Sequence, residues 1–589
     1  MCGIAGAINY KKDAEGISLN LNQSIIHRGP DDQSVYIDKN NNICLTMTRL
    51  SIIGLTEGRQ PKISDDEKVI VFFNGEIFNY KELNKIFFKN KNFKSDTEII
   101  LNMYLLFDLS MLKHLNGMFA ISIYDKRKNK LFLIRDRFGI KPIYYYKKNK
   151  HFMYSSEINT IKNLNNNLDI NEESISDYLS LGVTGKKNTI YKNVNKLGAG
   201  EVAIYDLNHN SLKIKKWYFF KLRNNKIKSY NEAIEFTKEK ITQSVNLWST
   251  SDVPICFLLS GGFDSSLLSS IYNSSNSGKI NTFSLGFSDK KYDEWNELEV
   301  SNSLAKKINS NHNNIIINVN NLLDELDEMV LSLGEPYGGG LPSWYIFKEI
   351  SKKTKVAISG TGGDELFGNY NRYYNMKNIY GSNSITFNKK ILEEGYCFNK
   401  HYNANDNWKS RYLNFNFKKR NIVNDYYSKL NKFNFKSLQK KIGYLDIETQ
   451  LCDEFLYITD KFSMAHSLEV RTPYLDHELV ESIYSLNENF RTSEKIYKPL
   501  LREIGKQFLT KKYYDFPKHG FSFPLSIWMR GKLKKKVEKS IGKKNLAKID
   551  LINPKFYDDF VSKMFKGDNN NIQLIWNVFM LHEWMRVHA

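Results

Sequence analysis

Residues 253–272 read VPICFLLSGGFDSSLLSSIY, and this stretch decides how the larger part of the chain is built. Its first seven residues form a continuous apolar run, which reads as a strand buried on both faces. A Gly–Gly turn follows, and the spacing of apolar residues then lengthens in SSLLSSIY, as a helix requires. Further apolar strands are expected at INTFSLGF (280–287), NNIIINV (313–319) and KVAISG (355–360), with helical segments between them. A helix, YNEAIEFTKEKITQSV, comes before the unit. Strands alternating with helices predict a parallel α/β sheet. From 365 onward the chain reads mainly helical.

The turn itself carries chemistry. Glycines let backbone approach phosphate oxygens, and free N–H groups at a helix start favour an anion. Ser260 and Ser265 add hydroxyl donors, and Asp264 suits Mg²⁺ through the preference of that ion for oxygen. A second glycine-rich turn, SGTGGDELFGNY (359–370), also follows a strand. It offers Asp364 as a second carboxylate. On its own, that turn would be an ordinary loop as readily as a site.

Working outward to the N-terminus, the pattern changes. VIVFFNGEIF (69–78), MFAISIYD (118–125) and KLFLIRD (130–136) read as strands, and SDTEIILNMYLLF (95–107) as a capped helix. Residues 1–160 are therefore expected to form a strand-rich α+β domain. The stretch 161–215 reads as a connector, which places the expected domains at 1–215 and 216–589. No internal repeat is present.

Cys2 would become the terminal residue after removal of Met1. A terminal amine with a reference pKa near 8 can act as general base for its own thiol. Amide hydrolysis also needs oxyanion donors and anchors for the rest of the substrate. Asn74, Gly75 and Glu76 offer an amide, a backbone N–H and a carboxylate. Arg49 suits a carboxylate bidentately, and Asp96, at a helix start, suits an ammonium. Taken singly, each has a plainer reading: an inert thiol, a turn, two surface charges.

Composition bounds the alternatives. At 589 residues the chain needs roughly two to four domains. Its 41% hydrophobic and 14% aromatic content argues against disorder throughout. The net charge of +21 raises the possibility of a nucleic-acid partner, but the excess is mostly scattered lysine. The densest basic run, KLKKKVEKSIGKK (532–544), has helical spacing without aromatics and reads as a solvated helix face. Cys2, Cys44, Cys256, Cys397 and Cys452 are far apart without a CxxC, which argues against a disulfide framework or zinc site and for a reducing cytoplasm. No leader-like segment and no apolar run of about 20 residues is evident. The segment 376–436, rich in Asn, Lys and Tyr, carries no nameable chemistry.

MCGIAG (1–6), HRGPDD (27–32), RLSI (49–52), NGEIFNY (74–80), SDTE (95–98) and RDRFGIKP (135–142) together resemble the glutaminase domain of asparagine synthetases. That is a class II amidotransferase domain of the N-terminal-nucleophile type, with stacked antiparallel sheets. The resemblance implies Cys2 as nucleophile and Asn74 and Gly75 as oxyanion hole. It implies that Arg49, Ile53, Asn74, Gly75, Glu76 and Asp96 hold glutamine. SGGFDSS (260–266) looks like the pyrophosphate loop of ATP pyrophosphatases, which cleave ATP to AMP and pyrophosphate. SGTGGDELFGNY, DKFSMAHSLEVRTPYLDHELVE (460–481) and KPLLRE…PKHGFSFP (498–524) resemble the remaining elements of the synthetase domain, in the same order.

By that resemblance ATP is held by Leu259, Ser260, Gly261, Gly262, Asp264, Ser265, Leu285, Ser359 and Gly360, with Mg²⁺ on Asp264 and Asp364. Lys518 is then the catalytic lysine, and Glu335, in GEPYGGG, handles protons at the acyl-adenylate. The implied reaction moves glutamine nitrogen onto an ATP-activated carboxylate. The implied partners are small molecules, with no nucleic acid and no membrane, and a homodimer is compatible with it. L-aspartate stands first as acceptor. Three departures keep a sugar uronate as the second reading: Gly334, PYGGGLP (336–342) and Thr361 lack acids common in the family, and Gly338–Gly340 reads as an open loop with room for a sugar. A tRNA-modifying ATP pyrophosphatase would not explain the N-terminal cysteine domain, and a β-lactam-synthetase-like enzyme needs no glutaminase.

Overall fold

The strand expected at 253–259 forms as Ile255–Leu258, in the middle of a five-stranded parallel sheet. The order is Asn311–Ile317, Asn281–Phe287, Ile255–Leu258, Val356–Ile358, Glu469–Arg471. Every neighbouring pair runs parallel. The chain adds strands first on one side of Ile255–Leu258 and then on the other. The strand order therefore reverses between Ile255–Leu258 and Val356–Ile358, and ligands of open α/β sheets bind in the crevice beyond such a point. The glycine turns at 259–262 and 359–363 leave these two adjacent strand ends. This computed structural model describes residues 2–588 apart from 11–13, 90, 166, 186, 224, 289–291, 293–294, 369, 371–406, 417–421, 433–434, 436–437, 493–495 and 516–523.

The N-terminal part is two six-stranded sheets, antiparallel at each recorded pairing. Strand periodicity explains how they stack, because alternate side chains leave opposite faces. Cys2, Ile4 and Ile8 pack with Ile70, Phe72 and Tyr124 of the other sheet in one buried cluster. On the opposite face, Ala5 and Ala7 join Ile17, Leu21 and Ile25 of the helix Ala14–Ile25. Likewise Val69, Val71 and Phe73 meet Ile99, Ile100 and Met103 of the helix Asp96–Phe107. The result is four layers, helix–sheet–sheet–helix. Ser95 and Glu98 form a reciprocal capping box at the start of the second of these helices.

One expectation needs correcting. The stretch 161–215 is not a connector. Val194–Lys196 extends the first sheet beside Tyr144–Lys148, and Glu201–Asp206 with Ser211–Lys216 extends the second beside Lys130–Arg135. Its polar turns hid Val194–Lys196 and Glu201–Asp206, whose partners lie more than 40 residues earlier, and the hairpin strand Ser211–Lys216 beside the latter.

The hydrophobic core does not stop at the junction of the two parts. Ala5, Tyr144 and Ile158 share one cluster with Leu333, Phe462 and Trp576, and Phe78 packs on Trp248 with ring centroids 4.5 Å apart. The basic run at 532–544 folds into the helices Lys534–Ile541 and Lys543–Ile549, which bury Val537, Ile541 and Leu546 and leave most lysines in solvent. Among the described residues no helix is long and apolar enough to cross a membrane.

Candidate active sites

Cys2 opens the first strand and pairs with Arg49 across the sheet. Its backbone N–H donates to Asn74 Oδ1 at 3.1 Å. Burial pushes the thiol pKa up, while the Leu50 backbone N–H and the Arg49 charge pull it back. Asn74 and Gly75 are not in a turn. They lie inside the strand Val69–Ile77, opposite Ala120 and Phe119. Gly75 has φ +147, and a Cβ there would sit 2.0 Å from the Met118 carbonyl oxygen. Only glycine fits that position. Asn74 Nδ2 donates to Ser156 Oγ at 3.4 Å, and the same hydroxyl accepts from Ile4 N–H at 3.1 Å. Ser156 thus ties the candidate oxyanion amide to the strand carrying the nucleophile.

Arg49 is 4% exposed. It donates to the carbonyls of Ile53, Gly54 and Leu55 at 3.2, 2.7 and 2.9 Å, which shapes the loop holding the candidate contact Ile53. Asp96 accepts from Ile77 N–H at 3.0 Å. Burial raises Asp96 to about 6, with the Glu469 charge adding to the rise. Burial, and the charges of Glu469 and Asp96, likewise push Glu76 well above the ordinary range. Cys2 and Arg49 thus stand on neighbouring strands of the first sheet, Asn74, Gly75 and Glu76 on a strand of the second, and Asp96 at the start of the helix Asp96–Phe107.

Sequence reasoning missed what lies behind these residues. The guanidinium of Arg28, fully buried, donates to the Cys2 carbonyl at 3.1 Å, to Glu157 at 2.5 Å and to Asp460 at 2.9 and 3.1 Å. Lys461 pairs with Glu157, and Lys141 lies 3.5 Å from Asp460. Arg471 pairs with Glu469 at 2.5 Å and lies 3.9 Å from Glu76. The charged residues of the 460–471 motif therefore reach into the glutaminase side. Acid and base alternating in a buried-looking motif was the available signal.

The second site forms where the two glycine turns meet. Ser260 Oγ and Ser265 Oγ are 3.0 Å apart, and Ser260 Oγ accepts from Gly262 N–H at 3.3 Å. The helix Phe263–Ser275 starts at Gly262 with no side-chain cap, so its first N–H groups face the turn. Leu259 N–H donates to the Phe283 carbonyl at 2.7 Å, beside the strand carrying Leu285. A Cβ on Gly360 would lie 2.6 Å from Ser265 N, and one on Gly363 would lie 2.7 Å from the Asp264 carboxyl. The turns are thus in contact. Lys498, unremarked in the sequence, sits between the two candidate metal carboxylates: Nζ is 2.6 and 2.5 Å from the Asp264 oxygens and 2.6 Å from Asp364 Oδ1. Lys518 lies outside the described residues.

A family model described as asparagine synthase matches residues 237–586, and one described as a glutamine amidotransferase domain matches residues 1–218. This chain belongs to the asparagine synthase family. It is 27% identical over a 644-residue alignment to asparagine synthetase (glutamine-hydrolyzing) 1 of Bacillus subtilis, covering 100% of this chain and 97% of that one. It is 35% identical over 400 residues to putative asparagine synthetase (glutamine-hydrolyzing) 2 of Methanocaldococcus jannaschii, covering 64% of this chain and 76% of that one. Against asparagine synthetase (glutamine-hydrolyzing) 2 of Bacillus subtilis it is 28% identical, covering 89% and 72%.

Within this chain, the three departures around the expected acceptor region have different structural settings. Gly334 ends the helix Val319–Leu333 with φ +71, and a Cβ there would lie 2.5 Å from Ile158 Cγ2. It packs against the glutaminase side. Gly338–Gly340 is not an open loop: Gly338 N–H donates to Gly182, and Gln573 and Trp576 of the C-terminal helix Ile572–His588 donate to the Gly338 and Gly339 carbonyls. The room expected there for a sugar is filled by that helix. Thr361 alone stands in the glycine turns, its hydroxyl 2.8 Å from Ser359 Oγ. Glu335 is buried and accepts from Thr184 Oγ1 at 2.6 Å and Ile190 N–H at 3.1 Å, with Lys196 at 2.9 Å. These partners all belong to the 161–215 stretch, and no contact recorded for Glu335 reaches the 260–265 turn.

Proposed function

We propose that the chain is an asparagine synthetase that uses glutamine and ATP to amidate L-aspartate through an acyl-adenylate. Residues 1–215 would form the glutaminase and 216–589 the synthetase. The observation that supports this best is that one buried cluster, with Ala5, Tyr144, Phe462 and Trp576, runs across both parts, and that Arg28 ties the Cys2 carbonyl to Asp460. In this reading the freed Cys2 amine takes the thiol proton, and Sγ attacks the glutamine carboxamide carbon. The Asn74 amide and Gly75 N–H receive the developing oxyanion. Arg49 and the Ile53 loop hold the α-carboxylate end, and Glu76 and Asp96 the ammonium. Ammonia leaves, and water releases glutamate from the thioester.

At the second site the acceptor carboxylate displaces pyrophosphate from ATP, and ammonia then displaces AMP. The N–H groups after Gly262 and the hydroxyls of Ser260 and Ser265 face the phosphates, while Leu259, Leu285, Ser359 and Gly360 border the nucleotide. Asp264 and Asp364 fit Mg²⁺, since their oxygens converge on one point within 2.6 Å of a cation, and Mg²⁺ is commonly held by one or two carboxylates plus substrate phosphates. When bound, that ion neutralises phosphate charge. Lys518 would stabilise the departing phosphate. Glu335, tied to the glutaminase side, serves best as a group that positions the junction.

With Gly338–Gly340 filled and Gly334 packed elsewhere, only Thr361 still favours a sugar uronate, so L-aspartate keeps first place. Pyrophosphate release with ATP and ammonia decides between them. The expected result is turnover with L-aspartate and none with nucleotide-linked uronates. Turnover with a uronate alone would replace this reading.

A further inference from the structure

Lys498 is 3% exposed and touches three carboxylate oxygens of Asp264 and Asp364 within 2.6 Å. Its backbone is left-handed, φ 50 and ψ 58, immediately before Pro499 opens the helix Pro499–Phe508. A non-glycine residue in that region is strained and is kept where the surroundings hold it. Proline next in sequence fixes the helix start, so the lysine is presented from a rigid corner. Tyr474 braces the other side by donating to the Asp264 backbone carbonyl at 3.2 Å. Glu365 is turned toward Tyr370, whose hydroxyl donates to it at 2.6 Å. It does not join the pair.

The ammonium therefore occupies the point where a divalent cation bound by Asp264 and Asp364 would sit. The two cannot share it. Metal–oxygen distances of about 2.1 Å draw both carboxylates onto the ion, and an ammonium and a dication at one point repel. Two carboxylates and one ammonium sum to one negative charge, so a bare cation entering must displace a cation already making three contacts. When ATP enters, the balance reverses. Its phosphates supply further oxygens to the metal and a new anionic partner to the displaced lysine.

We propose that Lys498 is a built-in counter-ion that makes divalent-cation binding at Asp264 and Asp364 depend on nucleotide. It is a positioning residue: it holds the two carboxylates together until ATP brings the metal. The inference rests on the reading of Asp264 and Asp364 as metal ligands.

Mn²⁺ binding measured by electron paramagnetic resonance on the full chain tests it, with circular dichroism and thermal melts to confirm folding. The wild type should bind Mn²⁺ weakly without nucleotide and tightly with a non-hydrolysable ATP analogue. Lys498→Met should bind nucleotide-free Mn²⁺ at least 10-fold more tightly than the wild type, and Lys498→Arg should restore the weak binding. Adding Asp264→Asn to Lys498→Met should abolish the gain. A folded Lys498→Met with unchanged nucleotide-free Mn²⁺ affinity overturns the inference while leaving the metal reading intact if the wild type with analogue still binds through Asp264. Absence of Asp264-dependent Mn²⁺ binding in every state would overturn both.

Discussion

Replacing Arg28 by Met keeps an unbranched apolar stem, loses the guanidinium and removes one charge from a fully buried network. Arg28 faces two carboxylates, Glu157 and Asp460, and the Cys2 carbonyl. Removing one partner of a buried ion pair typically costs about 3–5 kcal/mol. Here Lys461 stays on Glu157 and Lys141 near Asp460, so the loss should fall at the lower end, about 3 kcal/mol. For residues 1–215 melting as a unit of their own, that corresponds to a drop in Tm of about 6–12 °C. The pH dependence should change as well. Burial alone would raise Glu157, but Lys461 and Arg28 hold it well below the ordinary carboxylate range. A depressed carboxylate adds stability above its unfolded pKa, near 4.3, and that stability is lost as pH falls through the folded value. In Arg28→Met the contribution should shrink, and acid unfolding should begin at higher pH. Differential scanning calorimetry across pH 3–8 measures both effects. The triple variant Arg28→Met, Glu157→Gln, Asp460→Asn should be no more stable than the single variant, because buried Lys461 and Lys141 would then lose their carboxylates. A single variant with Tm within about 2 °C of the wild type would refute the reasoning, since that is under 1 kcal/mol for such a unit.

Cys2→Ala should abolish glutamine-dependent synthesis and retain ammonia-dependent synthesis, read by amide formation with each nitrogen donor. Asp96 is raised to about 6 by burial, and in its proposed role on the glutamine ammonium it acts as the carboxylate. The kcat/KM for glutamine should therefore fall as pH drops below about 6, and Asp96→Asn should remove that step and raise KM at pH 8 by about tenfold or more, the scale of one lost charged contact. Gly334→Asp, which restores the acid common in the family, should lower stability by roughly 1–3 kcal/mol through overpacking rather than lower KM for L-aspartate. Its new Cβ would meet Ile158 and Asn159, and thermal melts with acceptor kinetics separate the two outcomes.

Much of this architecture was legible in the sequence because its signals are local. A run such as ICFLL must bury both faces, and a glycine turn followed by helical spacing can only be a strand-to-helix crossover, so the parallel sheet was readable from residues 253–272 outward. The strand-rich character of the N-terminal part was readable from apolar runs such as VIVFFNGEIF and from the cap at Ser95, whereas its stacked sheets were implied only by the family resemblance. The motifs around Cys2 and Asp264 named most of the candidate residues, since both chemistries need fixed residue types at short spacing. The 161–215 strands escaped because their polar turns dominate the local pattern and their pairing partners lie far away. The Asn74–Gly75 pair looked like a turn, yet its glycine is demanded by the Met118 carbonyl across the sheet. Arg28, Lys498 and the filling of the Gly338–Gly340 loop by the C-terminal helix depended wholly on packing. Charges more than a hundred residues apart, such as Asp264 and Lys498, become partners only when burial removes water and leaves each as the other's nearest compensation. Sequence by itself determined the elements and the chemistry they carry. Only the tertiary structure decided which buried charge answers which, because that is settled by desolvation across the whole fold.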